Sequence, residues 1–236
     1  MRLLAIDAGN SRVKCGWHNG TAWEHIDVVT HDDINQLAPY WPQPEVIVIA
    51  CVAKTSVRVA LEAFIAQWTQ ITPAWLVSPA AGAGVRNGYA HPQQLGIDRW
   101  LAAVAVWRQY HASAVIVSHG TALTVDSLSA EGEFLGGLIV PGYHLMRKSL
   151  AGGTGKLDVA TGQWQAMPRC TEDAIHTGIL HALAGAVEHV WQQQPNHARC
   201  IISGGGADML LPMLPFAHRA HHLVLEGLRI VAEEMA

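Results

Sequence analysis

Residues 3–17 read LLAIDAGNSRVKCGW and residues 114–128 read AVIVSHGTALTVDSL. Each opens with a short apolar run, passes through a polar residue, any residue and a glycine, and then resumes an apolar-rich pattern. Ile6-Asp7-Ala8-Gly9-Asn10-Ser11 aligns with Val117-Ser118-His119-Gly120-Thr121-Ala122 at a constant offset of 111 positions. Both copies read locally as a strand, a tight glycine turn and a second strand. So short a match gains weight because the second copy continues into a third apolar run, Phe134 to Val140. The repeat predicts an α/β chain of two related halves, residues 1–112 and 113–236, rather than one wound sheet.

Working outward, Val46 to Val52 and Ala74 to Val77 read as buried strands, and Val57 to Trp68 between them has helical apolar spacing. A further helix runs through Leu101 to Tyr110 from a start at Gly96-Ile97-Asp98-Arg99. In the second half, a short helix follows Pro141-Gly142, then a Gly-rich loop at Gly152 to Gly155 and a long helix from Thr171 to about Gln194. Thr171 has N-cap chemistry, with Glu172 and Asp173 at the positive helix end. A strand at Cys200 to Ser203, the turn Gly204-Gly205-Gly206 and a closing helix from about Leu223 complete the chain.

Composition excludes several function classes. Half of the 236 residues are hydrophobic and 14% are charged, too apolar for a disordered tail and suited to strands buried on both faces. The net charge is −4 and the Lys and Arg residues are scattered, so the basic footprint of a nucleic-acid binder is missing. No apolar run reaches the roughly 18 to 20 residues of a membrane span, and the first residues do not form a secretion signal. Cys15, Cys51, Cys170 and Cys200 are far apart and read as reduced thiols. A cytoplasmic protein is expected. The 14 histidines carry no zinc spacing and read mostly as surface or packing residues.

Three places could carry chemistry. Asp7-Ala8-Gly9-Asn10-Ser11-Arg12-Val13-Lys14 puts a carboxylate at a strand end before a turn whose N–H groups can face an anion, with Lys14 available to neutralise phosphate. The same residues also suit an ordinary hairpin with a surface lysine. Gly120-Thr121-Ala122 and Gly204-Gly205-Gly206-Ala207-Asp208 are further close-approach turns, of a kind a nucleotide needs. In the block Tyr89 to Trp100, Asp98 and Arg99 set a carboxylate and a cation at one helix start, as phosphoryl transfer to an alcohol requires. Helix capping by Asp98 with a surface Arg99 is the competing reading.

Asp7-X-Gly-Asn-Ser with Lys14, Tyr89-X-X-Pro-X-X-Leu-Gly-Ile-Asp-Arg-Trp, Gly-Thr-Ala-X-Thr-X-Asp from Gly120 to Asp126, and Gly136-Gly137-X-Ile-X-Pro-Gly142 occur in that order. Together they resemble the type III pantothenate kinases over nearly the whole chain. The resemblance implies two duplicated ribonuclease-H-like halves of the acetate and sugar kinase, Hsp70 and actin superfamily, a homodimer, and ATP-dependent phosphorylation of pantothenate to 4'-phosphopantothenate, the first step of coenzyme A synthesis. Residue by residue it implies that Asp7, Ala8, Gly9, Asn10, Ser11, Arg12, Val13 and Lys14 hold the ATP phosphates and their Mg²⁺, with Thr121 a further ATP contact. Tyr89, Gly96, Ile97, Asp98, Arg99 and Thr171 would form the pantothenate site, with Asp98 as general base.

One departure stands out. Where the family usually reads Asp-X-Gly-Thr-Ala, this chain has Ser118-His119-Gly120-Thr121-Ala122, and the usual aspartate is tied to a monovalent cation, potassium or ammonium. Loss of the ion, its retention by carbonyls and the Ser118 hydroxyl, or its replacement by a protonated His119 are all open to the sequence. Two other readings stand beside the kinase: a non-catalytic ATP-binding or regulatory protein of this fold, and a superfamily kinase for another substrate. The paired Asp7, Lys14, Asp98 and Arg99 argue against the first, and the Tyr89 to Trp100 block against the second.

Overall fold

The computed structural model describes residues 1–37, 41–153, 162–195 and 197–235, with no account of the side chains of 151–153. In chain order its elements are β1 (Leu3–Ala8), β2 (Arg12–His18), β3 (Trp23–Thr30), β4 (Val46–Cys51), α1 (Thr55–Ile65), β5 (Ala74–Trp75), β6 (Ala81–Gly82), β7 (Val85–Asn87), α2 (Ile97–Tyr110), β8 (Ala114–His119), β9 (Ala122–Leu128), β10 (Glu133–Pro141), α3 (Tyr143–Gly153), α4 (Thr171–Gln192), β11 (Arg199–Ser203), α5 (Ala207–Leu210), β12 (Ala217–Arg219) and α6 (Leu223–Met235).

They gather into two compact units. Unit 1 holds residues 1–111, 132–134 and 222–236, and unit 2 holds 112–131 and 135–221. The strands of unit 1 run β3-β2-β1-β4-β5 across the sheet, with β1 antiparallel to β2 and parallel to β4. In unit 2 the order is β10-β9-β8-β11-β12, with β8 antiparallel to β9 and parallel to β11. These two five-strand runs share one order, third, second, first, fourth, fifth, with β7 and β6 following β10 in the second, seven-stranded sheet. The short repeat read around Gly9 and Gly120 is thus the visible part of a duplicated topology.

Each central strand is apolar throughout because both of its faces are covered. In β1, Leu4, Ile6 and Ala8 join Ile47, Ile49, Leu61 and Phe64 on the α1 face. By strand alternation Leu3 and Ala5, both fully buried, turn to the other face, where α6 packs on β1 and β4 and α2 packs on α6. In unit 2, Val115, Val117, Cys200 and Ile202 meet Leu180, Leu183 and Val187 of α4. Glu133 and Phe134, the first two residues of β10, count with unit 1, where they pair with Arg86 and Asn87 of β7.

Some boundaries differ from the sequence reading. The strand expected to reach Val77 stops at Trp75, and Val77 is largely exposed. The residue capping α4 is Cys170 rather than Thr171, which is the first helical residue, and no side chain caps that end. Gly152 and Gly153 close α3 instead of opening a loop, while Gly155 of the expected loop lies outside the described residues. All four cysteines are free thiols. Among the described residues no helix is long and apolar enough to cross a membrane.

Candidate active site

The turn between β1 and β2 places Asp7 and Lys14 directly opposite one another. It closes through Gly9 N–H to the Arg12 carbonyl at 3.0 Å, and His31 Nε2 donates to the Gly9 carbonyl at 2.9 Å. Asn10, Ser11 and Arg12 are exposed. The Asp7 carboxyl is pushed up from 3.8 to about 6, first by burial and then by the Asp98 charge, with Lys14 opposing. Asp7 and Asp98, far apart in sequence, both belong to unit 1, and of the influences on Asp7 that of Asp98 is the smallest.

Asp98 sits in the first turn of α2, whose N-cap is Gly96. A side chain at Gly96 would run into the Asp98 carboxylate, its Cβ falling 2.6 Å from Oδ1, so glycine there leaves the carboxylate its place. Burial raises the Asp98 carboxyl, while the Arg99 and Asp98 backbone N–H groups and the Arg99 guanidinium pull it back. Such a carboxylate is a stronger base than one in water.

Arg99 is buried rather than a surface cation. Its Nη1 donates to the Tyr89 hydroxyl at 3.0 Å, and its Cζ lies 5.6 Å from the Phe134 ring centre and 5.9 Å from that of Tyr89. Asn87 braces this corner: its Nδ2 donates to the carbonyls of Pro79 and Pro92, both at 3.1 Å, and its Oδ1 accepts from Tyr89 N–H at 3.0 Å. Ile97 is buried beside it in α2. Asn87, Phe134 and His31 are the supporting residues that sequence reasoning missed. An Asn at a strand end just before Gly88 was the one local signal, since that pairing marks a side chain folded back on a turn.

Unit 2 carries the remaining expected residues. Thr121 follows Gly120 in the β8–β9 turn, and its carbonyl accepts from Gly142 N–H at 2.9 Å. Ser118, at the usual aspartate position, lies in register with Thr124 on β9 and Ser203 on β11. Three neutral hydroxyl residues thus stand in a row, with Thr124 Oγ1 buried and unpartnered. That set itself holds no carboxylate, the group that would hold a monovalent cation firmly. Burial and the neighbouring His144 lower the pKa of His119, against the Gly206 carbonyl. Thr171 lines a cavity of about 860 Å³ whose other walls are mostly apolar, among them Pro141, Leu145, Met146 and Ile175.

Among the described residues no cluster of three His, Cys, Asp or Glu side chains could hold a metal by itself. A divalent ion carried on phosphates, needing one or two carboxylates from the protein, suits Asp7 instead. A buried carboxylate whose charged form is disfavoured gains most from such an ion.

Two five-strand runs of the same order, each opening on a glycine turn, are the fold of the acetate and sugar kinase, Hsp70 and actin superfamily. Solved structures agree. The fold matches a Baf family transcriptional activator from Campylobacter jejuni with a TM-score of 0.66 at 19% identity, covering 98% of each chain. It also matches the ADPNP-bound activator of 2-hydroxyisocaproyl-CoA dehydratase from Clostridium difficile, with a TM-score of 0.53 at 12% identity, covering 98% of this chain and 93% of that one. Identities this low speak for fold alone. Within the superfamily, the sequence model of the type III pantothenate kinases matches residues 3–193. A type III pantothenate kinase of Nitrosospira multiformis is 41% identical over 240 residues, 98% of this chain and 91% of its own length. Another from Thiobacillus denitrificans is 41% identical over 234 residues, 97% of this chain and 96% of its own. The chain belongs to the type III pantothenate kinase family.

Proposed function

We propose that this chain transfers the γ-phosphoryl group of Mg²⁺-ATP to the primary hydroxyl of pantothenate, giving 4'-phosphopantothenate and ADP in the first step of coenzyme A synthesis. Family membership supports the reaction. The observation that supports the assignment of residues is that Asp7, on its exposed glycine turn, and Asp98, with the buried Arg99 at the start of α2, both belong to unit 1.

In this reading the turn from Asp7 through Ala8, Gly9, Asn10, Ser11, Arg12 and Val13 to Lys14 holds the phosphates, with Lys14 offsetting their charge. Asp7 would hold the Mg²⁺ that the nucleotide brings, which when bound would supply neutralisation of charge on the transferring group. Thr121 adds an ATP contact from unit 2. Tyr89, Gly96, Ile97 and Arg99 hold pantothenate, and Thr171 contributes from the start of α4. Arg99, fixed by Tyr89 and Phe134, is a rigid cation suited to an anionic substrate group. Asp98 accepts the hydroxyl proton as the oxygen attacks phosphorus and the bond to ADP breaks. The expected halves, 1–112 and 113–236, are taken as its two lobes, apart from residues 132–134 and 222–236, which count with unit 1.

The free thiols support a cytoplasmic enzyme. Exposed Ile139, Leu145 and Leu150 on unit 2 support a homodimer, to be checked by light scattering. A monovalent cation, if used, is weakly held at Ser118.

The test is direct. Purified protein is incubated with ATP, Mg²⁺ and pantothenate, and phosphopantothenate is sought by mass spectrometry. Asp98→Asn should lower turnover by about 100- to 10,000-fold while ATP binding persists. ATP binding without any phosphopantothenate in the wild type would instead favour a non-catalytic, regulatory reading.

A further inference from the structure

His119, the last residue of β8, is 1% exposed, and the mechanism above gives it no role. Both of its ring nitrogens are engaged by backbone. Nδ1 lies 2.8 Å from the Gly206 carbonyl oxygen, and the Tyr143 backbone N–H points at Nε2 across 3.4 Å. A carbonyl can only accept and an amide N–H can only donate, so the proton is on Nδ1 and Nε2 carries a lone pair. The ring is neutral, in one tautomer set by its two partners.

Those partners belong to separate turns. Gly206 N–H donates to the His119 carbonyl at 3.0 Å, so residues 119 and 206 exchange hydrogen bonds in both directions. The fit is close: a Cβ on Gly206 would fall 2.6 Å from His119 Nδ1 and 2.7 Å from Cε1. Gly204, at φ +99°, would drive a Cβ into the His119 backbone. On the other side, Tyr143 opens α3 directly after Gly142, whose N–H is tied to the Thr121 carbonyl. Beyond it the Tyr143 hydroxyl is hydrogen-bonded to His176 Nδ1 on α4 at 2.6 Å. One imidazole therefore links the Gly120-Thr121 turn, the Gly204 to Gly206 turn and the start of α3.

We propose that His119 is a positioning residue for nucleotide binding, fixing the Gly120-Thr121 and Gly204–Gly206 turns in unit 2 at the spacing that ATP requires. It touches no reacting atom. Its role is to remove freedom from two glycine turns that would otherwise spend binding energy on being ordered when the nucleotide arrives. The proposal rests on the kinase reading insofar as Thr121 is taken to contact ATP.

The experiment measures Mg²⁺-ATP affinity by calorimetry without pantothenate, and separately the KM of each substrate, in His119→Ala, His119→Asn and His119→Gln. Asn can replace the donor to Gly206, and Gln can replace the acceptor for Tyr143. In His119→Ala, ATP affinity should fall about tenfold or more, the effect of one or two lost hydrogen bonds. Its pantothenate KM should stay within about twofold, and Asn should recover most of the ATP affinity. If the Ala variant does not fold, the Asn and Gln variants carry the comparison, with Asn the better binder. Equal ATP affinity in wild type and variants overturns the proposal, as does a parallel loss for both substrates with no rescue by Asn. Wild type that binds ATP but leaves pantothenate unphosphorylated would defeat the kinase reading and leave this comparison intact.

Discussion

A carboxyl at about 6 on Asp7 has consequences for folding as well as for chemistry. Its folded-state pKa lies above the ordinary 3.8, so the folded state binds the extra proton. The resulting contribution to stability is fully present below pH about 3.8 and is lost as pH rises through 6. Above that, charged Asp7 is a cost that only a cation relieves. Asp7→Asn should therefore stabilise the ligand-free protein at pH 7.5, by up to about 3 kcal/mol, and hardly at all at pH 4, while weakening Mg²⁺-ATP binding. Thermal melts at the two pH values decide it, and an equal gain at both would refute the electrostatic cause. Ser118→Asp tests the hydroxyl row in the same spirit, because a carboxylate in contact with a monovalent ion adds a few kcal/mol at an effective dielectric near 20. The variant should gain saturable potassium activation at constant ionic strength, with wild type responding weakly. Tight activation of wild type, unaltered by Ser118→Asp, would show that other groups hold the ion. Asp7, Lys14, Asp98 and Arg99 were legible because each lies in a local pattern whose spacing is set by one turn. The cover that Phe134 gives Arg99, the brace from Asn87 and the bonds of His119 were not, since each partner comes from another element and leaves no periodic trace.

At the scale of elements, glycines separate packing from mere permissiveness. In α6 the backbone of Leu101 on α2 occupies the place where a Cβ on Gly227 would go, so the two helices meet backbone to backbone. Gly227→Ala should cost about 1–3 kcal/mol through overpacking, seen as a fall of roughly 2–10 °C in Tm. Gly185 in α4 is exposed and meets nothing within 4 Å of an added Cβ, so Gly185→Ala should be neutral or stabilising by about 0.5–1 kcal/mol. A stability loss at Gly185 matching that at Gly227 would refute the packing argument. The elements themselves were largely readable: apolar runs gave β1, β4, β8 and β11, and helical spacing gave α2 and α4. The cap of α4 was not, because Thr171 has the right chemistry one position too late and Asp173 of the first turn is engaged by Gln163 N–H at 2.8 Å. Nor were β6 and β7, two and three residues long, since pairs so short carry no period.

The duplication was visible at the scale of the molecule through one repeated turn, but the return of α6 to unit 1 was not. Its buried Leu223, Leu225, Leu228 and Ile230 read as an ordinary amphipathic face, and nothing in such a face names the sheet it will cover. A chain ended at His221 should lose amide protection in β1 and β4 while β8, β11 and α4, in the unit that excludes α6, keep theirs; hydrogen exchange on the truncated chain is the measurement. Equal protection of β1 and β4 with and without α6 would mean that the helix is dispensable to unit 1. This chain order has a further consequence at the ribosome. Translation delivers the β1 to β5 strands early, but the helix that closes their second face emerges only after unit 2. Every residue assigned to unit 2 has been synthesised before α6 exists, so the later-made unit is free to finish first. Leu3 and Ala5 wait uncovered until α6 has been made, a surface for chaperones to shelter in the meantime.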